Sequence, residues 1–177
     1  MRQYKTQLQL HGNEGTAERA IRLEAFCNLV ATLHNWHAII NGLVIADLEE
    51  EAIADADDPV AKHAVEISRE HRSNCTAAWK RTQDAMSRFR MVSDDMFFWL
   101  AERLYKRTRS WADDVIDGLW PSTHLGADQH NDLWELESDL FEYASIDLKV
   151  SEDDLIVRAN RMWQENATQL GGTGKRF

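Results

Sequence analysis

The sequence predicts an all-α fold, an antiparallel helical bundle of four to five helices in a single domain. Helix breakers are rare: between Leu43 and Asp117 there is no glycine, and Pro59 is the only proline. Apolar residues recur at three- and four-residue steps, and no useful length of chain alternates as a half-buried strand does. The 177 residues suffice for one domain with a sizeable core. We expect a flexible N-terminal arm at 1–15, the bundle at 16–170 and a flexible tail at 171–177.

The first helix is expected to begin near Thr16. Its apolar stripe keeps its phase across Gly42, so we expect a kinked or continuous helix that ends at about Glu51. The 22 residues from Ala25 to Ala46 carry no formal charge, but six of them are polar. Polar residues are costly in lipid, and a buried bundle helix is therefore expected rather than a membrane span. The stripe consists of Phe26, Leu29, Val30, Leu33, His37, Ile40, Val44 and Leu48.

The second and third helices have clear start signals. Asp58 is a suitable cap and Pro59 a suitable first residue for the second helix. Ser93 is expected to cap the third helix, which should end near Gly118. The second helix should bury Val60, Ala64, Ile67, His71, Cys75, Ala78, Trp79, Thr82, Met86 and Phe89, and the third Phe97, Leu100, Leu104, Trp111 and Val115.

Two further helices follow an irregular link. We expect the fourth from about Gln129 to Ala144 and the fifth from Ser151, where Ser151 and Asp154 approximate a capping box. The paired glycines at 171–172 should end the fifth helix. The inward residues are expected to be Leu133, Leu136, Leu140 and Tyr143 in the fourth helix, and Leu155, Ala159, Met162, Trp163 and Leu170 in the fifth.

Asp113, Asp114 and Asp117 form an Asp-Asp-x-x-Asp run, a pattern that binds magnesium and a diphosphate in some all-helical synthases. A helix turns by about 100° per residue, so these carboxylates point away from the apolar side that contains Trp111. Arg109 lies four residues before Asp113, at a helical pairing distance. We interpret the run as a solvated, charged helix face, and it indicates no family.

Three possible metal ligands project toward the core. His37 lies in the first stripe, and His71 and Cys75 lie one turn apart in the second. A catalytic zinc needs three such ligands and an open position, and His34 could join them. A small metal-dependent enzyme or ligand-binding bundle that uses inward His, Cys and Glu side chains is therefore the alternative hypothesis. The usual metal-ligand spacings are missing, however, and no cofactor is expected.

Charge is unevenly distributed along the chain. Residues 23–61 carry a net charge of −8, residues 62–109 carry +5 and residues 110–148 carry −10. The basic central helices can therefore complement acidic helices on either side. Seven of the twelve residues from Asp47 to Asp58, which we call the acidic run, are acidic: Asp47, Glu49, Glu50, Glu51, Asp55, Asp57 and Asp58.

The favoured hypothesis is a non-catalytic protein–protein interaction module that docks on, or occludes, a basic surface of a partner, such as the surface of a nucleic-acid-binding protein. The acidic run would steer the partner, and Trp120 and Trp134 would anchor it. The chain contains no glycine-rich phosphate loop, nucleophile elbow or kinase signature. A net charge of −10 argues against direct binding to nucleic acid or to an anionic membrane.

Two further expectations concern the location of the protein in the cell and its association with a second copy of itself. The first residues lack the apolar core of a signal peptide, and Cys27 and Cys75 fall inside helical patterns as reduced, buried thiols would. A cytoplasmic location is therefore expected. Phe98, Trp99 and Trp36 lie off the central stripes and could form a homodimer face.

Overall fold

The computed structural model describes residues 15–52, 59–117 and 125–169, with side chains at 15–44, 70, 72–117 and 132–166. This part of the chain is an all-α bundle, which confirms the predicted fold class. Residues 1–14 of the predicted arm at 1–15, and the whole predicted tail at 171–177, lie outside the described residues. The helices are α1 (Thr16–Ala52), α2 (Pro59–Val92), α3 (Asp95–Ile116), α4 (Leu125–Leu148) and α5 (Glu152–Gln169).

The first two helices begin where their start signals predict. α1 begins at Thr16 and α2 at Pro59, whose fixed φ suits the first helical position. α1 is helical through Gly42, because Ile40 before the glycine and Leu43 after it are both buried against neighbouring helices. α4 is longer than predicted at both ends, since four residues before Gln129 and four residues after Ala144 are also helical.

The cap of α3 differs from the prediction. Asp94, not Ser93, is the N-cap, because its carboxylate accepts a hydrogen bond of 2.7 Å from the backbone N–H of Phe97. The other oxygen of Asp94 accepts a hydrogen bond of 3.0 Å from the hydroxyl of Tyr143 on α4. Burial and the neighbouring Asp94 carboxylate raise the pKa of Tyr143, so the phenol stays protonated and can donate. One carboxylate thus caps a helix and joins it to the next.

The α4–α5 connection is a tight turn that hydrogen bonds define. Lys149 adopts a φ of 55°, and the N–H of Val150 donates to the carbonyl of Ser145, which closes the end of α4. Ser151 and Asp154 form the predicted cap of α5: the N–H of Asp154 donates to Ser151 Oγ at 3.2 Å, and the hydroxyl donates to the Asp154 carboxylate at 2.9 Å.

Helix α1 is the centre of the bundle. It contacts each of the other four helices, whereas α3 packs mainly on α4. Phe26 of α1 lies 5.4 Å from both Phe97 and Phe141 and 6.3 Å from Phe89, measured between ring centroids, so aromatic rings from α1, α2, α3 and α4 meet at one point. No helix in residues 15–52, 59–117 or 125–169 combines the length and the apolar character needed to cross a membrane.

Trp36 is buried, and its proposed role in a homodimer face is therefore wrong. Its side chain is 1% exposed, and its indole N–H donates to Cys75 Sγ at 3.2 Å. The prediction counted only one apolar stripe on α1. A helix with neighbours on several sides buries a wider arc, and Trp36 faces α2 and Tyr105 of α3 within that arc. Phe98 is half-buried under the guanidinium of Arg90, and Trp99 is exposed.

One buried ion pair joins the start of α1 to the end of α4. Arg22 and Asp147 are both buried and contact each other through the guanidinium Nη2 and the carboxylate Oδ2. Burial of a charge without its partner is strongly unfavourable, so each residue requires the other. The pair therefore favours one position of α4 relative to α1.

We predict that Asp94→Ala lowers the free energy of unfolding by about 2 kcal/mol, because it removes a helix cap and leaves the buried Tyr143 hydroxyl without its acceptor. Urea denaturation measures the change. Tyr143→Phe should cost less, since the cap survives. The matched control is Asp95→Ala, because the side chain of Asp95 is 95% exposed and forms a surface ion pair with Arg90. Equal losses for the Asp94 and Asp95 variants would contradict the assignment.

Candidate functional site

The aspartate run lies on the outside of α3. Asp113 and Asp117 are exposed and Asp114 is half-buried. The Nε–H of Arg109 donates to the Asp113 carboxylate at 3.2 Å, which is the pair that the four-residue spacing predicts. The same guanidinium lies 4.2 Å from the ring centroid of Trp79 on α2. The interpretation of the run as a solvated helix face is confirmed.

Two of the three candidate metal ligands interact with other side chains. His37 Nε2 lies 2.8 Å from Thr108 Oγ1 on α3, and Cys75 Sγ accepts the hydrogen bond from Trp36. Burial raises the pKa of the Cys75 thiol, although the Trp36 hydrogen bond opposes the shift, so the sulfur is a neutral thiol at neutral pH. The side chain of His71 lies outside the described residues. Among the side chains that are described, no three His, Cys, Asp or Glu residues form a group that could hold a metal ion.

A polar cluster joins α1, α3 and α4. His34 Nε2 lies 2.5 Å from Glu137 Oε1 on α4, and the His34 and His37 rings are 6.5 Å apart between centroids. Burial alone would raise the pKa of Glu137, but the hydrogen bond and charge of His34, together with the charge of His37, outweigh it and lower that pKa. The glutamate is therefore a carboxylate at neutral pH.

One side of this cluster is enclosed by the bundle. Thr108 is fully buried, and the ring centroid of His37 lies 5.8 Å from that of Trp111. Sequence reasoning missed the pairing of His34 with Glu137. The signal was present: Glu137 lies between Leu133 and Leu140 at helical spacing, in the middle of an inward stripe. An acidic residue in that position requires a partner across the bundle.

The predicted partner-binding residues fall in different parts of the chain. Asp47, Glu49, Glu50 and Glu51 lie on the last part of α1, but their side chains are outside the described set. Asp55, Asp57, Asp58 and Trp120 lie outside the described residues altogether. Trp134 on α4 is described, and its side chain is 71% exposed.

Comparison with known proteins does not add to this description. No protein-family model, curated protein or solved structure matches the chain. Functional inference therefore depends on the sequence and on the surface of the described helices.

We predict that Glu137→Gln lowers the free energy of unfolding by about 1 kcal/mol at pH 7, because it removes the charge that His34 stabilises. The pKa of Glu137 is lower in the folded protein than its usual value of 4.5. Its stabilising contribution is therefore complete above that value and is lost as the pH falls through the lowered pKa. Urea denaturation between pH 7 and pH 3 should show the wild type and the variant converging at the acidic end. A constant difference across this range would contradict the pairing.

Proposed function

We propose that the protein is a non-catalytic interaction module whose acidic surface docks on, or occludes, a basic surface of a partner protein, such as the nucleic-acid-binding surface of that partner. The observation that carries the proposal is the exposure of Trp134. A tryptophan ring that is 71% exposed leaves a large apolar area in water, and tryptophan is the residue type most enriched among side chains that dominate binding energy.

The surroundings of Trp134 support an acidic docking surface. α4 contains no lysine or arginine, and four of its carboxylates are exposed: Asp132, Glu135, Asp139 and Glu142. The acidic run adds seven carboxylates from Asp47 to Asp58. Together these groups produce a negative potential that attracts a basic surface from a distance and raises the association rate.

The ion pairs that lysine and arginine side chains form within the bundle also support the proposal. Six lysine or arginine side chains pair with carboxylates whose side chains the structure also describes, and these cations are therefore already partly neutralised. The pairs are Arg22–Asp147, Arg90–Asp95, Lys106–Glu102, Arg107–Asp132, Arg109–Asp113 and Arg161–Glu165. A cytoplasmic location belongs to the proposal, since Cys27 and Cys75 are free thiols.

We predict that reversal of Glu49, Glu50 and Glu51 to lysine weakens partner binding at least tenfold and changes the helical melting curve little. The partner would be captured at low ionic strength, identified and purified, and its dissociation constant measured at several salt concentrations. The matched control reverses Glu24, Asp84 and Asp153, which are exposed and give the same change in net charge. Binding that survives the first reversal, or that both reversals weaken equally, would contradict a specific role for the acidic run.

We predict that Trp134→Ala weakens the same complex by about 2 kcal/mol, or roughly thirtyfold, as loss of a buried anchor does. Stability should change little, because the ring is already exposed in the free protein. Isothermal titration calorimetry with the purified partner measures the effect, and Trp99→Ala on α3 serves as the comparison. An unchanged affinity for the Trp134 variant would remove this residue from the interface.

A further inference from the structure

Helices α3 and α4 form a face on which opposite charges lie in two parallel rows. Between the helices runs an open groove of about 580 Å³. Its α3 wall carries Arg103, Lys106 and Arg107, which we call the basic ridge. Its α4 wall carries Asp132, Glu135 and Asp139, which we call the acidic ridge.

The two ridges run side by side because α3 and α4 are antiparallel. The Asp94 carboxylate at the start of α3 accepts a hydrogen bond from Tyr143 near the end of α4, and Arg107 in the second half of α3 pairs with Asp132 in the first half of α4. Because an α-helix turns by about 100° per residue, the three side chains of each ridge project from one side of their helix, within an arc of about 100° of its circumference. Each ridge is thus a short strip of one charge, about one turn long on α3 and about two turns long on α4.

Among the described side chains, one ion pair spans the groove. Arg107 Nη2 lies 3.0 Å from Asp132 Oδ2, whereas Arg103 lies over the ring of Trp99 and Lys106 pairs with Glu102 on its own helix. In the part of the chain that the structure describes, no ion pair involves Glu135 or Asp139. Most of the charge on both ridges therefore faces solvent.

We propose that this face binds a second copy of the chain about a two-fold axis parallel to α3 and α4. Such an axis places the basic ridge of each protomer on the acidic ridge of the other, so each basic–acidic contact occurs twice in the dimer. A two-fold axis across the helices would instead place basic on basic and acidic on acidic. The charge pattern therefore selects both the partner and its orientation.

Apolar contacts and size fit a reversible dimer. Trp99 is 44% exposed next to the basic ridge, and Ile146 is 45% exposed in line with the acidic ridge, both toward the start of α3. The 22 residues of α3 span about 33 Å, and two adjacent helices are about 20 Å wide, which gives about 650 Å² per protomer. A stable interface buries about 800 Å² per partner, so dissociation on dilution is expected.

The proposal goes beyond the proposed function. It shares Asp132, Glu135 and Asp139 with the surface around Trp134, but it uses neither Trp134 itself nor the acidic run. Its test is a charge swap followed by sedimentation velocity at several protein concentrations. One variant is Arg103→Glu/Lys106→Glu/Arg107→Glu, and the other is Asp132→Lys/Glu135→Lys/Asp139→Lys. Each variant alone should associate at least tenfold more weakly than the wild type, because like charges then meet in its homodimer. An equimolar mixture should restore association, because the altered ridges complement each other.

Controls keep the result interpretable. Circular dichroism verifies that each variant folds, and the exposed single substitutions Lys106→Glu and Glu135→Lys provide a milder second pair. Reversal of Glu24, Asp84 and Asp153 to lysine gives the same charge change as the acidic-ridge variant and should leave the dimer intact. Reversal of Glu49, Glu50 and Glu51 to lysine, which tests partner binding, should also leave the dimer intact. A monomeric wild type at every concentration, or a mixture of folded variants that remains monomeric, would overturn the proposal.

Discussion

Helix α1 contacts each of the other four helices, and 22 of its residues, from Ala25 to Ala46, carry no formal charge. Removing the apolar side chains between Phe26 and Leu43 from water is the main gain that the fold provides, since burial of apolar area is the dominant favourable contribution to folding. The surrounding helices have one face toward α1 and another toward solvent. Their charged residues are therefore concentrated on the outer faces, where the aspartates of α3 and the exposed carboxylates of α4 are found.

Polar side chains of α1 contact more than one neighbouring helix. Arg22 and His34 bind Asp147 and Glu137 of α4, while Trp36 contacts Cys75 of α2. Buried polar groups are costly unless they are paired, so each contact penalises an arrangement that lacks its partner. We infer that apolar burial holds the bundle together, and that these contacts select which helix lies beside which face of α1.

The sequence predicts individual helices and their inward faces well, because those depend on local signals. Thr16 and Pro59 mark helix starts, and the stripe through Leu104, Trp111 and Val115 is buried. Contacts between helices could not be predicted, because a stripe does not reveal which helix faces it. The burial of Trp36 on a second side of α1 and the pairing of His34 with Glu137 both depend on which helices lie next to each other.

The start of α4 was missed because Gly126 suggests a loop, although it lies within the helix. For the candidate site, the sequence indicated Trp134 and the charge layout, whereas the alignment of the two charged ridges required the antiparallel pairing of α3 with α4.

Native-state hydrogen exchange, read by mass spectrometry of proteolytic fragments, tests the central position of α1 most directly. If α1 is enclosed by its four neighbours, the backbone amides from Phe26 to Leu43 exchange only through global unfolding and are the slowest in the molecule. The amides of α5, which contacts only α1 and α4 among the described helices, exchange faster. Exchange of α1 amides at the rate of α5 amides, or faster, would contradict the account.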